Sequence, residues 1–218
     1  MELSYWESRW NKNKTGFHMA GGYPGLKTHW NHLGLPDEPS VLVPLCGKTE
    51  DMSWMAEKGA QVTGVEISEK AVREFFEEQK IEFETTRYAG FTIFHAERIE
   101  LWQGDFMKFP AGKKREFDLI YDKAALVALP PAMRKAYAAR LLELAGNKTT
   151  LLLHHFVYPQ HQMPGPPFSV EPKEITTLFP DAIEISLLEE NSIPAEQFPP
   201  FKLRGLVSPL TERLLCLK

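Results

Sequence analysis

Along the chain, short runs of apolar and β-branched residues alternate with stretches whose apolar positions recur every three to four residues. That is the pattern of strand–helix–strand units around a mostly parallel sheet. Residues 40–45 (SVLVPL) follow the turn-rich stretch 36–39 and predict a buried strand. Residues 49–58 (TEDMSWMAEK) predict a helix, with Thr49 as N-cap, Asp51 in the first turn and Gly59 as its stop. The second strand is predicted at 61–67 (QVTGVEI). Ser68 then caps a helix running towards Gln79, with Ala71, Val72, Phe75 and Phe76 on its apolar face. Residues 91–95 and 99–103 alternate on either side of a short polar turn, as the arms of a hairpin do. Next come a buried strand at 117–121 (FDLIY), a helix at 131–144 opened by proline, and a strong strand at 149–156 (TTLLLHHF). The proline-rich stretch 158–168 (YPQHQMPGPPF) is too long to be a mere connector. A short helix at 172–178, a strand near 182–188, a proline-bearing loop at 191–201 and a last strand near 212–217 complete the chain. At its start, residues 4–12 predict a helix carrying Trp6 and Trp10 one turn apart.

About seven strands with helices between the early ones predict an α/β domain, doubly wound, with a mostly parallel sheet and an antiparallel last strand. Such sheets bind ligands at the carboxyl ends of their strands, near the switch in strand order. The length of 218 residues suits one domain, and a 43% hydrophobic content supplies a core and excludes disorder as the main state. Lys and Arg total 25 against 29 Asp and Glu, a net charge of −4, which argues against nucleic acid as the chief partner. The one compact basic run, Lys113, Lys114 and Arg115, reads as a solvated loop. No apolar stretch approaches the roughly 20 residues of a membrane span. The opening MELSYWESRW is too polar for a signal or transit peptide, so a cytoplasmic location is expected. Cys46 and Cys216 have no partner motif and cannot make a metal site by themselves.

The first strand leaves into Pro44-Leu45-Cys46-Gly47-Lys48, and Glu66 closes the second strand about 20 residues after the glycine. A tight glycine turn lets a ligand approach the backbone, and a carboxylate across the crevice accepts hydrogen bonds from a ribose diol. The loop holds one glycine rather than G-x-G-x-x-G, so a nucleoside ligand without phosphates fits better than a dinucleotide. S-adenosylmethionine is the common ligand of that kind. On spacing alone, a plain turn and an exposed strand-end acid account for the two residues equally well.

The string VLVPLCGKTEDMSWMAEKGAQVTGVEIS resembles the cofactor-binding segment of thiopurine S-methyltransferases. WESRWNKNKTGFH, YDKAALVALPP and PGPPF are similar to further segments of the same family, in the same order, from about residue 4 to the C-terminus. The resemblance implies a class I methyltransferase fold over 1–218, with 1–35 as a helical cover over the cofactor site. It places Trp6, Trp10, Leu45, Gly47, Glu66, Asp105, Phe106 and Lys123 around S-adenosylmethionine, with Asp105 taking the adenine amine and Phe106 lying against the ring. Asp122, Lys123 and Arg204 become the catalytic candidates, and Phe17, His155 and Pro166 the acceptor-binding ones. The family carries arginine where this chain has Lys123; lysine keeps the charge and loses the planar fork, which bears on acceptor preference.

Each of these residues also has a plainer role. Trp6 and Trp10 could be core, Cys46 a small buried hydrophobe, and Asp122 a holder of its loop. His154 and His155 point to opposite faces of a strand and do not readily share a metal ion. The PGPPF loop, stiffened by its prolines, would form a wall of the acceptor pocket. Methyl transfer to sulfur is an in-line displacement by a thiolate, so holding two reactants in line matters more than a strong base. A cationic edge at Lys123 and Arg204 would favour the thiolate, and Trp10 could face the sulfonium for ~1–2 kcal/mol. No catalytic triad and no metal are expected. The partner is a small-molecule thiol, the state a monomer. Alternatives are selenium or tellurium compounds or small aliphatic thiols as acceptors, a nicotinamide-dependent oxidoreductase, and a nucleoside-binding module without catalysis.

Overall fold

The computed structural model describes residues 3–16, 18–110, 116–180, 182 and 184–218; Phe17, Lys113, Lys114 and Arg115 lie outside them. Contacts gather into two compact units, Met1–Tyr121 with Leu144–Thr149 and Asp122–Glu143 with Thr150–Lys218.

The first unit opens with α1 (Leu3–Asn11) and α2 (Pro24–His29), the latter started by proline at its first turn. The expected strand–helix units follow as β1 (Ser40–Pro44), α3 (Asp51–Glu57), β2 (Gln61–Glu66) and α4 (Glu69–Gln79). The Ser68 side chain caps α4 by accepting from the Ala71 N–H at 3.3 Å, and Ala71, Val72, Phe75 and Phe76 are buried. Then come β3 (Glu84–Tyr88), β4 (Phe91–His95), β5 (Ile99–Gln103) and β6 (Phe117–Lys123), whose last two residues belong to the second unit. The order in this unit is β3-β4-β5-β2-β1-β6. β1 pairs with β2 and β6, and β2 with β5, all parallel; β3, β4 and β5 form an antiparallel meander. Parallel strands flanked by helices are buried on both faces, which is why Val41, Leu42, Val43, Val62 and Val65 are enclosed.

The second unit holds α5 (Pro131–Leu144, all but its last residue), most of β7 (Ala145–Val157), α6 (Pro172–Leu178), β8 (Ile185–Ile193), α7 (Pro199–Lys202) and β9 (Leu210–Leu217). Its strands run in the order β7-β9-β8 and pair antiparallel, with an irregularity between Leu187 and Glu189. Tyr158, Met163, Ala195, Leu206 and Leu210 form a small core under the proline-rich loop.

Three details differ from expectation. Nine strands are present among the described residues rather than about seven. The unforeseen β3 is exposed at all five positions and pairs on one side only, so it carries no hydrophobic alternation to read. β8 starts later than expected and runs to Ile193, where Pro194 stops it, so part of the supposed loop is strand. Finally, the N-cap of α3 is Glu50, with no side-chain bond, one residue after the expected Thr49; Thr49 Oγ1 still accepts from the Asp51 N–H, at 3.4 Å, and donates to Asp51 Oδ2 at 2.9 Å. Among the described residues no helix is long and apolar enough to cross a membrane.

Candidate active site

In the first unit the chain leaves β1 through Leu45 at φ +48° and Gly47 at φ +55°, both in the left-handed region. The Cys46 N–H donates to Val65 O at 3.1 Å, and the Gly47 N–H to Glu66 Oε2 at 2.9 Å. The other oxygen, Oε1, accepts from the Ser68 N–H at 2.8 Å. Glu66 is 5% exposed; burial raises its carboxyl above the usual range, and the amide bonds oppose that rise. A carboxylate offers about four lone-pair sites, so two amides fix its orientation and leave capacity for a diol. Glycine suits position 47 twice: its φ is one that side chains rarely adopt, and a Cβ there would stand 3.1 Å from Trp10 Cζ2, so the ring would have to give way slightly. Trp10 is 2% exposed, and Trp6 is half-buried with its ring edge-on to Tyr5.

Two neighbours of this turn went unrecognised in the sequence. Lys48 is tied to Glu74 at 2.9 Å and Glu78 at 2.6 Å on α4, which pairs its charge and fastens the turn to the helix. Asp51 is fully buried: Oδ1 accepts from the Tyr23 N–H at 2.7 Å, and Oδ2 from the Tyr121 hydroxyl at 3.0 Å. Gly22 is close enough that a Cβ would stand 2.3 Å from Asp51 Oδ1. The Cys46 thiol is pushed well above its ordinary value, first by burial and then by the charge of Glu66, so it is no nucleophile. After β5, Asp105 caps a single helical turn through the Met107 N–H at 3.0 Å. Phe106, the first residue of that turn, is 2% exposed.

In the second unit Asp122 is fully buried. Oδ1 accepts from the N–H groups of Ala125 at 2.8 Å and Leu126 at 3.1 Å, and Oδ2 from the Tyr137 hydroxyl at 2.8 Å. Burial pushes its pKa up to about 6. With both oxygens engaged inside the fold, Asp122 holds the bend at Ala124 (φ +61°), the plainer of its two expected roles. Lys123 follows it, half-buried. Burial alone would raise the Glu212 carboxyl. The hydrogen bond and charge of His154, with the charge of Lys123, outweigh burial and hold it below the usual range. His154 Nε2 lies 2.7 Å from Glu212 Oε1.

His155 points to the opposite face of β7, as strand geometry demands. It has no accessible surface, and its Nδ1 bonds to Val170 O at 3.0 Å. Burial lowers its pKa to about 4, so the ring is neutral and Nδ1 carries the donated hydrogen. It therefore braces the end of the proline-rich loop through Nδ1, while Nε2 is buried with no hydrogen-bond partner. Within that loop Pro166 is half-buried. Arg204 donates to the carbonyls of Pro166, at 2.8 Å, and of Pro164. Tyr158 donates to Pro167 O at 2.7 Å, and Gln160 Oε1 accepts from the Ser169 N–H at 2.9 Å.

A family model described as thiopurine S-methyltransferase matches residues 1–215. The chain is 42% identical over 198 residues to a thiopurine S-methyltransferase of Pseudomonas fluorescens (strain SBW25), covering 91% of each chain. It is 38% identical over 196 residues to one of Shewanella baltica, covering 90% of each. Among solved structures, a Burkholderia thailandensis 1,6-didemethyltoxoflavin-N1-methyltransferase with its acceptor and S-adenosylhomocysteine superposes with TM-score 0.65 at 16% identity, covering 99% of this chain and 87% of that one. A SAM-dependent methyltransferase from Anabaena variabilis gives TM-score 0.64 at 14% identity, covering 99% and 95%. At such identities the two structures establish the fold: an α/β methyltransferase with a mostly parallel central sheet and antiparallel edge strands.

Proposed function

The chain belongs to the thiopurine S-methyltransferase family, and from that premise we propose how its residues serve the reaction. It is an S-adenosylmethionine-dependent S-methyltransferase acting on a small molecule. The acceptor we propose is the sulfur of a thiopurine or another aromatic or heterocyclic thiol. The observation that carries the cofactor assignment is the buried Glu66 carboxylate, locked by the Gly47 and Ser68 amides at 2.9 and 2.8 Å on a turn without phosphate-binding glycines. A fixed, acceptor-only group suits a ribose diol and repels a pyrophosphate.

When bound, S-adenosylmethionine supplies an activated methyl group on a sulfonium. Glu66 would accept the ribose hydroxyls, Asp105 the adenine amine, and Leu45 and Gly47 would line the turn beneath. Trp10 would cover that turn, with Trp6 beside it, as part of a helical cover over 1–35. Lys123 and Arg204 supply cationic character that favours an acceptor thiolate over its thiol. Because Glu212 lies close enough for its carboxyl to feel the charge of Lys123, Lys123 gives this edge less net charge than a lone lysine would. Pro166 would stand against the acceptor. Asp122 and His155 position their loops. We further propose that 1–218 works as one methyltransferase domain and as a monomer.

Isothermal titration of S-adenosylhomocysteine against wild type and Glu66→Ala tests the core of this assignment. Loss of a charged hydrogen-bonding partner should weaken binding by roughly 1.5–3 kcal/mol. Equal affinities would mean the ribose lies elsewhere. Binding of S-adenosylhomocysteine without methylation of any aromatic thiol would remove the acceptor class proposed.

A further inference from the structure

Beneath the proline-rich loop lies a buried cation that the reaction as described leaves without a role. Arg134, in the first turn of α5, is 1% exposed. Its Nε donates to Leu129 O at 3.0 Å, and its Nη1 reaches Glu174 Oε1 and Oε2 on α6 at 2.9 and 2.8 Å. The remaining nitrogen, Nη2, is buried with no hydrogen-bond partner. For stability alone, well-packed apolar side chains often serve as well as a buried ion pair. Shape and planarity are what arginine adds.

The guanidinium faces a ring. Arg134 Cζ stands 5.8 Å from the Phe168 centroid. Phe168 is fixed a second time by its own N–H, which donates to Val127 O at 2.6 Å. Against the ring lies the backbone of Gly165, so closely that an added Cβ would stand 2.2 Å from Phe168 Cδ1. The next residue is Pro166. The contacts thus run from a planar cation to an aromatic ring, to a backbone without a side chain, to a proline. None of these members yields easily, so a displacement at one end is passed to the other.

We propose that Arg134 is a positioning residue for the methyl acceptor: anchored by Glu174 and Leu129, it sets the Phe168 ring, which sets where Pro166 stands against an aromatic thiol. This rests on Pro166 forming part of the acceptor wall. Arg134 touches no reactant; it acts through Phe168.

The test compares wild type with Arg134→Lys, Phe168→Leu, Phe168→Tyr and Pro166→Ala, measuring KM and kcat for an aryl thiol beside the Kd of S-adenosylhomocysteine. Arg134→Lys and Phe168→Leu should raise the KM roughly 5- to 10-fold while the Kd stays within about twofold. Phe168→Tyr keeps the ring and should keep the wild-type KM. Should Arg134→Lys fold poorly, Glu174→Gln leaves the arginine in place with a weaker partner and should raise the same KM by about two- to fourfold. A wild-type KM in Arg134→Lys, or a KM and Kd that rise together, overturns the proposal. Pro166→Ala separates the two layers: no change there overturns the acceptor wall itself, and the role of Arg134 with it. A change in Pro166→Ala with Arg134→Lys silent overturns the role of Arg134 alone.

Discussion

The turn at residues 44–48 and the loop at 158–170 both leave the end of a strand, and they are held by opposite means. In the first, backbone serves backbone and one nearby acid: Cys46 N–H to Val65 O, and Gly47 N–H to Glu66. In the second, Pro159, Pro164, Pro166 and Pro167 have no N–H to give, and the carbonyls of the last three are met by side chains. Arg204 serves Pro164 and Pro166, and Tyr158 serves Pro167. Val127 O and Gln160 Oε1 take the N–H groups of Phe168 and Ser169. A glycine turn can be completed by the strands that make it. A proline loop needs side chains, its own Tyr158 and Gln160 together with the distant Arg204, so a substitution far along the chain should also change it.

The largest expected effect tests whether the backbone-built turn is as self-sufficient as it looks. Asp51, just beyond it, gathers the Tyr23 N–H, the Tyr121 hydroxyl and the Thr49 hydroxyl onto one buried carboxylate. Asp51→Ala strands those donors and should cost about 3 kcal/mol in urea denaturation. Asp51→Asn, which keeps an acceptor oxygen, should lose about half as much. A loss below ~1 kcal/mol in Asp51→Ala would mean that the turn needs no side-chain anchor, and would widen the contrast.

The same division governs how much the sequence disclosed. β1, β2, the Ser68 cap and the spacing of Gly47 from Glu66 were legible because their signals are local: an apolar run, a capping residue, a glycine and an acid at a known interval. The family motifs carried most of the site assignment. Asp51 and Arg134 were not legible as buried anchors, and Asp122 was legible as a loop holder without its partner, because polar residues are enclosed only when partners converge on them, and those partners lie far off in sequence: Tyr121 for Asp51, Tyr137 for Asp122 and Glu174 for Arg134. His155, an acceptor-binding candidate, has a partner that its strand position does not disclose: its ring hydrogen goes to Val170 O on the far side of the loop.

His155 also provides the next test, of the claim that the loop depends on side chains. Its folded pKa is lowered to about 4 from an ordinary 6.5, so the native state holds it neutral while the unfolded chain takes up a proton. The stability this contributes is fully present above the unfolded pKa and is lost as pH falls from 6.5 towards 4. Going from about pH 7 to about pH 5, wild type should lose ~2 kcal/mol more than His155→Gln, which keeps a donor for Val170 O. Asp122 works in the other sense: raised to about 6, it lets stability fall as pH climbs from about 4 to 6. Present in both proteins, it cancels in the difference. Parallel pH curves would show that His155 titrates as freely as in the unfolded chain.

Arg204 provides the smallest effect on stability and the sharpest contrast with Arg134. Both guanidiniums bear on the same loop, one exposed and one enclosed. Exposed Arg204 satisfies the carbonyls of Pro164 and Pro166, which water could satisfy in its place, so Arg204→Gln should shift the unfolding midpoint by no more than ~0.5 kcal/mol equivalent. Function should respond more than stability. Without the guanidinium the loop loses a two-point clasp and, on the proposed placement of Arg204 beside the acceptor, a nearby charge, so the KM for an aryl thiol should rise a few-fold. Salt separates the two contributions: a lost charge is screened near 1 M salt, where the wild-type KM should approach that of the variant, whereas a lost clasp leaves the gap unchanged. A KM insensitive to Arg204→Gln at any salt would leave Pro166 to be placed from the buried side alone, by Phe168 and the arginine behind it.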